Sequence, residues 1–99
     1  MIGLIGLVGF TLNDSLSVRR CNLSATTVGD YALFGGGYTD YVSSATVDAY
    51  DSSLTRSTPT PLSVGRCVLS ATTVGDYALF GGGYTGNGSS ATVDGYIVI

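Results

Sequence analysis

The sequence lacks lysine, glutamate, glutamine, histidine and tryptophan altogether, and only 11% of its 99 residues are charged. The side chains that most often act as general bases, Schiff-base amines or zinc ligands are therefore missing. We predict a protein that is not an enzyme and that has no metal and no cofactor. Four arginines stand against seven aspartates, so we also expect no nucleic-acid partner, because phosphate backbones are bound by clustered basic residues.

Glycine, valine, threonine, serine and tyrosine dominate the chain, and fifteen residues are glycine. β-branched and aromatic residues favour strands and glycine favours tight turns, so this composition predicts an all-β protein. The apolar residues 1–10 are far fewer than the roughly 20 needed to span a bilayer. We expect a buried strand there and no membrane span; the alternatives are a weak membrane or export signal, or a frayed end. Cys21 and Cys67 occupy matching places in a repeat, which favours two equivalent core positions over a disulfide.

An internal repeat with an offset of 46 residues organises the chain. LSATTVGDYALFGGGYT stands at 23–39 and again at 69–85, SSATVD recurs at 43–48 and 89–94, and Leu-Ser-Val recurs at 16–18 and 62–64. A repeat of this length is typical of propellers and arrays, in which one unit buries its faces only against a neighbour. We call residues 16–61 the first unit and residues 62–99 the second unit.

Turn residues divide each unit into short strands. In the first unit they predict strands at 23–28, 31–34, 45–50 and 54–57, separated by the Gly29-Asp30 turn, glycines 35–37 with a polar loop, and a turn at 51–53. The second unit ends after its third strand. Shifting the repeat back by 46 positions places residues 8–12 where a fourth strand is expected, so residues 1–15 are predicted to complete the last sheet.

This order of elements resembles the kelch repeat. The family's glycine and Tyr-Asp landmarks fall at Gly35–Gly37, Tyr50-Asp51, Gly81–Gly83 and Tyr96, although its tryptophan is missing where Leu54 and Arg56 stand. The resemblance implies four-stranded blades of a β-propeller, typically with six or seven blades, that serves mostly as an interaction platform. It covers residues 16–99.

Two blades cannot close a ring, so we expect the chain to assemble with copies of itself. The assembly then has an even number of blades: four in a dimer, six in a trimer and eight in a tetramer. Six fits the resemblance best. We therefore predict a homotrimer in which the N-terminal strand is exchanged between neighbouring copies.

Arg20 and Arg66 are the first candidates for ligand binding on the loop face of such a ring. They stand at equivalent positions directly before the two cysteines, with Arg19 added in the first unit only, and guanidinium groups suit a carboxylate, sulfate or phosphate. The alternative is an ion pair with Asp48 or Asp94 that joins neighbouring blades.

The loop between the second and third strands supplies the other candidates. Asp40-Tyr41-Val42 in the first unit becomes Gly86-Asn87-Gly88 in the second, a change that indicates either recognition or unconstrained drift. Tyr38, Tyr41 and Tyr84 stand beside this loop and suit stacking on a sugar or peptide, with packing as the alternative for Tyr38 and Tyr84. We predict a non-catalytic module that binds a protein or glycan; the alternative is a purely structural unit or a fragment of a longer kelch protein.

Overall fold

The computed structural model describes residues 14–99, so the strand predicted at residues 8–12 lies outside the described residues. The described chain is built from short antiparallel strands and contains no α-helix, which confirms the all-β fold class. Accordingly, no segment of residues 14–99 is a helix long and apolar enough to cross a membrane.

Each unit contains one larger sheet and one small hairpin. The strands in chain order are β1 (Ser24–Val28), β2 (Tyr31–Gly35), β3 (Tyr38–Thr39), β4 (Val42–Ser43), β5 (Val47–Tyr50), β6 (Arg56–Ser57), β7 (Ser70–Val74), β8 (Tyr77–Gly81), β9 (Tyr84–Thr85), β10 (Gly88–Ser89) and β11 (Val93–Tyr96). The first sheet has the order β1-β2-β5-β6 and the second has the order β11-β8-β7. Among the described residues, β11 is therefore an edge strand.

The two-residue turns follow the sequence closely. Val28 pairs with Tyr31 across Gly29-Asp30, and Gly29 has a φ of +56°, a left-handed conformation that glycine adopts without a steric penalty. The polar loop expected after glycines 35–37 is instead partly a β-hairpin, in which β3 pairs with β4. Its turn is formed by Asp40 and Tyr41, and both residues have positive φ, at +47° and +69°.

The core lies between the two larger sheets and is formed by eight buried apolar residues: Val28, Leu33, Val47, Ala49, Leu62, Leu69, Ala78 and Phe80. Phe80 has no exposed surface and its ring lies directly over Gly35. A Cβ at Gly35 would be only 2.7 Å from the Phe80 Cε1 atom. Glycine is therefore required at this point for the second sheet to approach the first.

Four backbone hydrogen bonds connect the units along the same junction. Gly37 donates to Arg66 at 2.8 Å, Leu62 to Ala45 at 2.8 Å, Arg66 to Ser44 at 3.0 Å and Val68 to Asn22 at 2.8 Å. The Ser24 hydroxyl also donates to the Leu69 carbonyl. We call this contact between the two units the intrachain junction.

Candidate functional site

Glycines with positive φ lead into both hairpins. Gly36 and Gly37 have φ of +73° and +110°, and a Cβ at Gly37 would be 2.8 Å from the Cys21 carbonyl oxygen. This close approach lets Cys21 and Tyr38 exchange two backbone hydrogen bonds, at 3.1 and 2.8 Å. The segment before β1 is thereby fixed beside the first hairpin.

The three candidate tyrosines are all exposed on these hairpins. Tyr41 is 91% exposed at the tip of the first hairpin, Tyr84 is 52% exposed and Tyr38 is 38% exposed. Asn87 is exposed in the turn of the second hairpin, where its backbone N–H donates to the Thr85 hydroxyl at 3.0 Å.

An open groove of about 500 Å³ lies beside the first hairpin. Its walls are formed by the segment before β1 and by the first hairpin: Arg19, Arg20, Cys21, Tyr38, Thr39, Asp40 and Tyr41. It brings Arg20, Tyr38 and Tyr41 together. Tyr84 and Asn87 belong to the second hairpin and do not line it. We call this feature the hairpin groove.

Arg20 is bound within its own unit. Its Nε donates to the Gly36 carbonyl at 2.7 Å, one terminal nitrogen donates to Asp48 at 3.0 Å and the other donates to the Phe34 carbonyl at 3.2 Å. The side chains of Arg20 and Asp48 have no exposed surface. The guanidinium thus connects the segment before β1 to β2 and β5 of the same sheet.

Arg66 repeats this arrangement in the second unit. It pairs with Asp94 at 2.8 Å, donates to the Phe80 carbonyl at 3.0 Å and is fully buried. Within the described residues its Nε is buried without a hydrogen-bond partner. Both arginines therefore follow the ion-pair alternative, except that each pair lies inside one unit and does not join two units.

The aspartates are held ionised by their neighbours. Burial alone raises the pKa of Asp48, but hydrogen bonds from Ser17 and Arg20 and the charge of Arg20 outweigh it and lower the pKa below its ordinary value. At Asp94 burial again raises the pKa, and Arg66 and Ser63 lower it further than burial raises it. Burial, together with the charge of Asp94, raises the pKa of Tyr96 to about 12. Neither aspartate has the raised pKa expected of a general acid at neutral pH.

Two serines complete these clusters and were not among the predicted site residues. The backbone and hydroxyl of Ser17 donate to Asp48 at 3.2 and 3.0 Å, and those of Ser63 donate to Asp94 at 3.2 and 3.1 Å. The repeated Leu-Ser-Val at 16–18 and 62–64 was the sequence signal for them. Each serine stands three residues before the arginine of its cluster.

The cysteines do not occupy core positions, contrary to expectation. Both are free thiols, with Cys21 exposed and Cys67 half-buried. Cys67 is more buried because the Ser43 hydroxyl lies 3.7 Å from its sulfur, across the intrachain junction. Cys21 has the matching position in the first unit, where no preceding unit is present among the described residues.

Comparisons with known proteins give a likeness of fold. No protein-family model matches the chain, and no curated protein matches it. Among solved structures the chain is similar to that of YjhT, with a TM-score of 0.74 and 17% sequence identity. The likeness covers 91% of this chain and 32% of YjhT, so the chain spans about a third of the length of that structure. At this sequence identity the comparison indicates a similar fold and nothing about function.

Proposed function

We propose that the chain is a non-catalytic interaction module that assembles with copies of itself into a kelch-like β-propeller and presents its hairpins to a protein or glycan. Each larger sheet serves as a blade, and residues 1–15 complete the blade that ends at β11. Three copies, giving six blades, are the favoured assembly. Six blades fits the kelch resemblance best, which supports this number.

Tyr41 is the observation that carries the binding proposal. It is 91% exposed and has a φ of +69°, a conformation that costs a non-glycine residue about 1 kcal/mol or more. A large aromatic side chain at such a position gains no packing that offsets the strain. Because packing does not offset the backbone strain at Tyr41, we favour a role in recognition for this residue. An exposed aromatic ring suits stacking on a sugar or docking a peptide.

Replacing Tyr41 by glycine is therefore expected to stabilise the chain by up to about 1 kcal/mol. The relief of left-handed strain, roughly 1–2 kcal/mol, exceeds the cost of the greater freedom that glycine has in the unfolded chain, about 0.4–1 kcal/mol. The same variant is expected to lose binding on a glycan or peptide array. Tyr31→Phe is a control with an unchanged hairpin, and it should bind as the wild-type protein does. Unchanged binding by Tyr41→Gly, or no binding by the wild-type protein at high concentration, would count against recognition at this hairpin.

The open counterparts of the intrachain junction support self-assembly. Gly81 matches Gly35 in the repeat, yet a Cβ at Gly81 would meet nothing closer than Val93 Cγ2 at 3.4 Å. Phe34 matches Phe80 but is only half-buried. A Phe34 ring from a second copy could lie over Gly81 as Phe80 lies over Gly35. Each chain would then contact one neighbour through Phe34 and another through Gly81.

Native mass spectrometry of the wild-type protein is expected to give one sharp oligomer, with the mass of three chains favoured. Gly81→Val should remain folded but monomeric, because its side chain fills the space that the neighbouring Phe34 requires. Gly95→Ala is the matched control, since it places on the same sheet the residue that the first unit has at Ala49. A wild-type monomer at micromolar concentration, or an unchanged oligomer in Gly81→Val, contradicts this mode of assembly.

A purely structural unit is the second candidate, and the arginines favour it. Both guanidinium groups are engaged with carboxylates and carbonyls of their own unit, so neither is directed at an external anion. We therefore leave Arg20 and Arg66 out of the proposed ligand surface. In an assembled ring Tyr41 and Tyr84, which are 91% and 52% exposed, would carry this surface, whereas Tyr38 and Asn87 would lie where a neighbouring copy packs. An assembled ring that binds no glycan or peptide would favour the structural role.

A further inference from the structure

We propose that the wall of the hairpin groove formed by Arg19, Cys21 and Tyr38 receives the second hairpin of another copy, and that Arg19 distinguishes this interchain junction from the intrachain junction. The Tyr41 side chain at the tip of the first hairpin is left to the ligand proposed above. The proposal rests on the self-assembly proposed above and identifies the residues that would determine how copies pair. The occupant is a second copy of this chain, in head-to-tail contact.

The intrachain junction shows how a first hairpin contacts the unit that follows it. The Ser43 hydroxyl lies 3.7 Å from Cys67 Sγ and donates to the Tyr84 carbonyl at 3.3 Å. The Ser43 carbonyl oxygen would be 2.6 Å from a Cβ at Gly65. Ser43 thus lies against three residues of the second unit: Gly65, Cys67 and Tyr84.

The hairpin groove contains the counterparts of those three residues. A shift of 46 positions converts Gly65, Cys67 and Tyr84 into Arg19, Cys21 and Tyr38, and all three line the groove. The residue that matches Ser43 is Ser89, in an identical Ser-Ser-Ala-Thr-Val-Asp segment, and it is exposed. Apart from Arg19, the groove therefore repeats the groups that contact Ser43, and a second copy's Ser89 could contact Cys21 and Tyr38 as Ser43 contacts Cys67 and Tyr84.

Within the described residues, two backbone N–H groups near the groove lack the acceptors that their counterparts have at the intrachain junction. Leu62 and Arg66 donate across the intrachain junction to Ala45 and Ser44. The matching N–H groups of Leu16 and Arg20 have no such backbone acceptor in residues 14–99. The corresponding acceptors in a second copy are the carbonyls of its second unit, which repeat the same sequence.

The two junctions cannot be identical, because Arg19 replaces Gly65. Any side chain at position 65 would collide with the backbone carbonyl of Ser43, so the Ser89 segment of a second copy must lie further from Arg19 than Ser43 lies from Gly65. The facing hairpin of a second copy carries Gly86-Asn87-Gly88 in place of Asp40-Tyr41-Val42. Gly88 directly precedes Ser89 in the chain, so in this arrangement the smaller second hairpin would leave room beside Ser89 for the long Arg19 side chain.

This matching also has a chemical basis. The second hairpin offers the Asn87 amide and its backbone carbonyls as acceptors, and a guanidinium has five N–H donors. If the first hairpin, with its larger Asp40-Tyr41-Val42, faced Arg19 of a second copy, the contact would instead be overpacked. Such paired attraction and exclusion is how an interface selects one arrangement over another, and here it favours the second hairpin over the first as the neighbour of Arg19.

The test converts the second hairpin into the first. Gly86→Asp, Asn87→Tyr and Gly88→Val together are expected to leave the monomer folded and to weaken association by about 10–100-fold, as overpacking of an interface does. Adding Arg19→Gly is expected to restore the wild-type affinity, measured by analytical ultracentrifugation across a dilution series. An unchanged affinity in the hairpin variant, or no recovery with Arg19→Gly, overturns the proposal.

Disulfide trapping checks the contact directly. Ser89→Cys with Cys67→Ser places the new thiol opposite Cys21 of a second copy, and mild oxidation is expected to give covalent oligomers on a non-reducing gel. Ser43→Cys with Cys21→Ser is the matched control, and its new thiol should bond to Cys67 within one chain. Monomers alone from the first variant, with the control oxidised, overturn the contact. If the wild-type protein never associates, self-assembly itself fails; if it associates without these effects, only the present proposal fails.

Discussion

Replacing Arg20 by methionine is expected to lower the free energy of unfolding by about 3–5 kcal/mol, because it leaves the buried carboxylate of Asp48 without its counter-charge. Asp48 has no exposed surface, and its Oδ1 already has no hydrogen-bond partner among the described residues. The carbonyls of Gly36 and Phe34 would also lose their donor. A typical domain has only about 5–15 kcal/mol of total stability, so this loss is severe. Urea denaturation followed by tyrosine fluorescence measures it.

A second substitution separates a lost ion pair from a lost packing contact. Arg20→Met together with Asp48→Leu is expected to recover a large part of the stability, because no uncompensated charge is then buried. Arg56→Met is the control, since Arg56 is exposed and should cost less than about 0.5 kcal/mol. If the double variant is as unstable as the sum of its parts, the pair is not the source of the effect. An Arg20→Met protein that stays stable but loses affinity for sulfate or phosphate would instead support an anion site.

Replacing Phe80 by alanine is expected to cost about 3–5 kcal/mol, the range for a fully buried phenylalanine. The ring covers Gly35 and packs edge-to-face on Tyr96, with centroids 5.8 Å apart and planes at 89°. Its loss opens a cavity at the intrachain junction. Because the junction lies within one chain, the cost should not depend on protein concentration.

Phe34→Ala is the matched control for Phe80→Ala. Phe34 makes the same edge-to-face contact with Tyr50, at 6.0 Å and 85°, but lies on the uncovered side of the first sheet. In a preparation shown to be monomeric it should cost only about 1–2 kcal/mol, and the cost should grow as concentration favours assembly. Equal losses for the two variants in monomeric protein would contradict the different surroundings of the two rings.

Local sequence signals predicted β1, β2, β5 and the Gly29-Asp30 turn, because β-branched runs and glycine determine the backbone over a few residues. The strand predicted at 54–57 is shorter, since Leu54 has a left-handed φ of +61° and only Arg56–Ser57 forms a strand. The local signals did not predict the first hairpin, since Asp40-Tyr41 is an unusual pair for two consecutive left-handed residues. The choice between the two roles of Arg20 also required the structure. It depends on which strand residue faces the guanidinium, and Asp48 is 28 positions away in the chain.

The cysteines illustrate a second limit of prediction from sequence. Identical flanking residues suggested equal burial, yet Cys21 is exposed and Cys67 is half-buried. The difference arises from Ser43, which covers Cys67 and has no counterpart over Cys21 within residues 14–99. A repeat determines what each unit can contact, whereas burial depends on which neighbour is present.

The uncovered half-junctions on either side of the chain have a consequence for how a ring would grow. A linear pair of chains makes one new junction, and a linear trio makes two, but closing the trio adds a third junction at no further cost in translational freedom. Open pairs and trios lack the additional junction that stabilises the closed ring, so the ring outcompetes them once it forms. Assembly of this kind is cooperative, so the population should change from monomer to ring over a narrow interval of concentration.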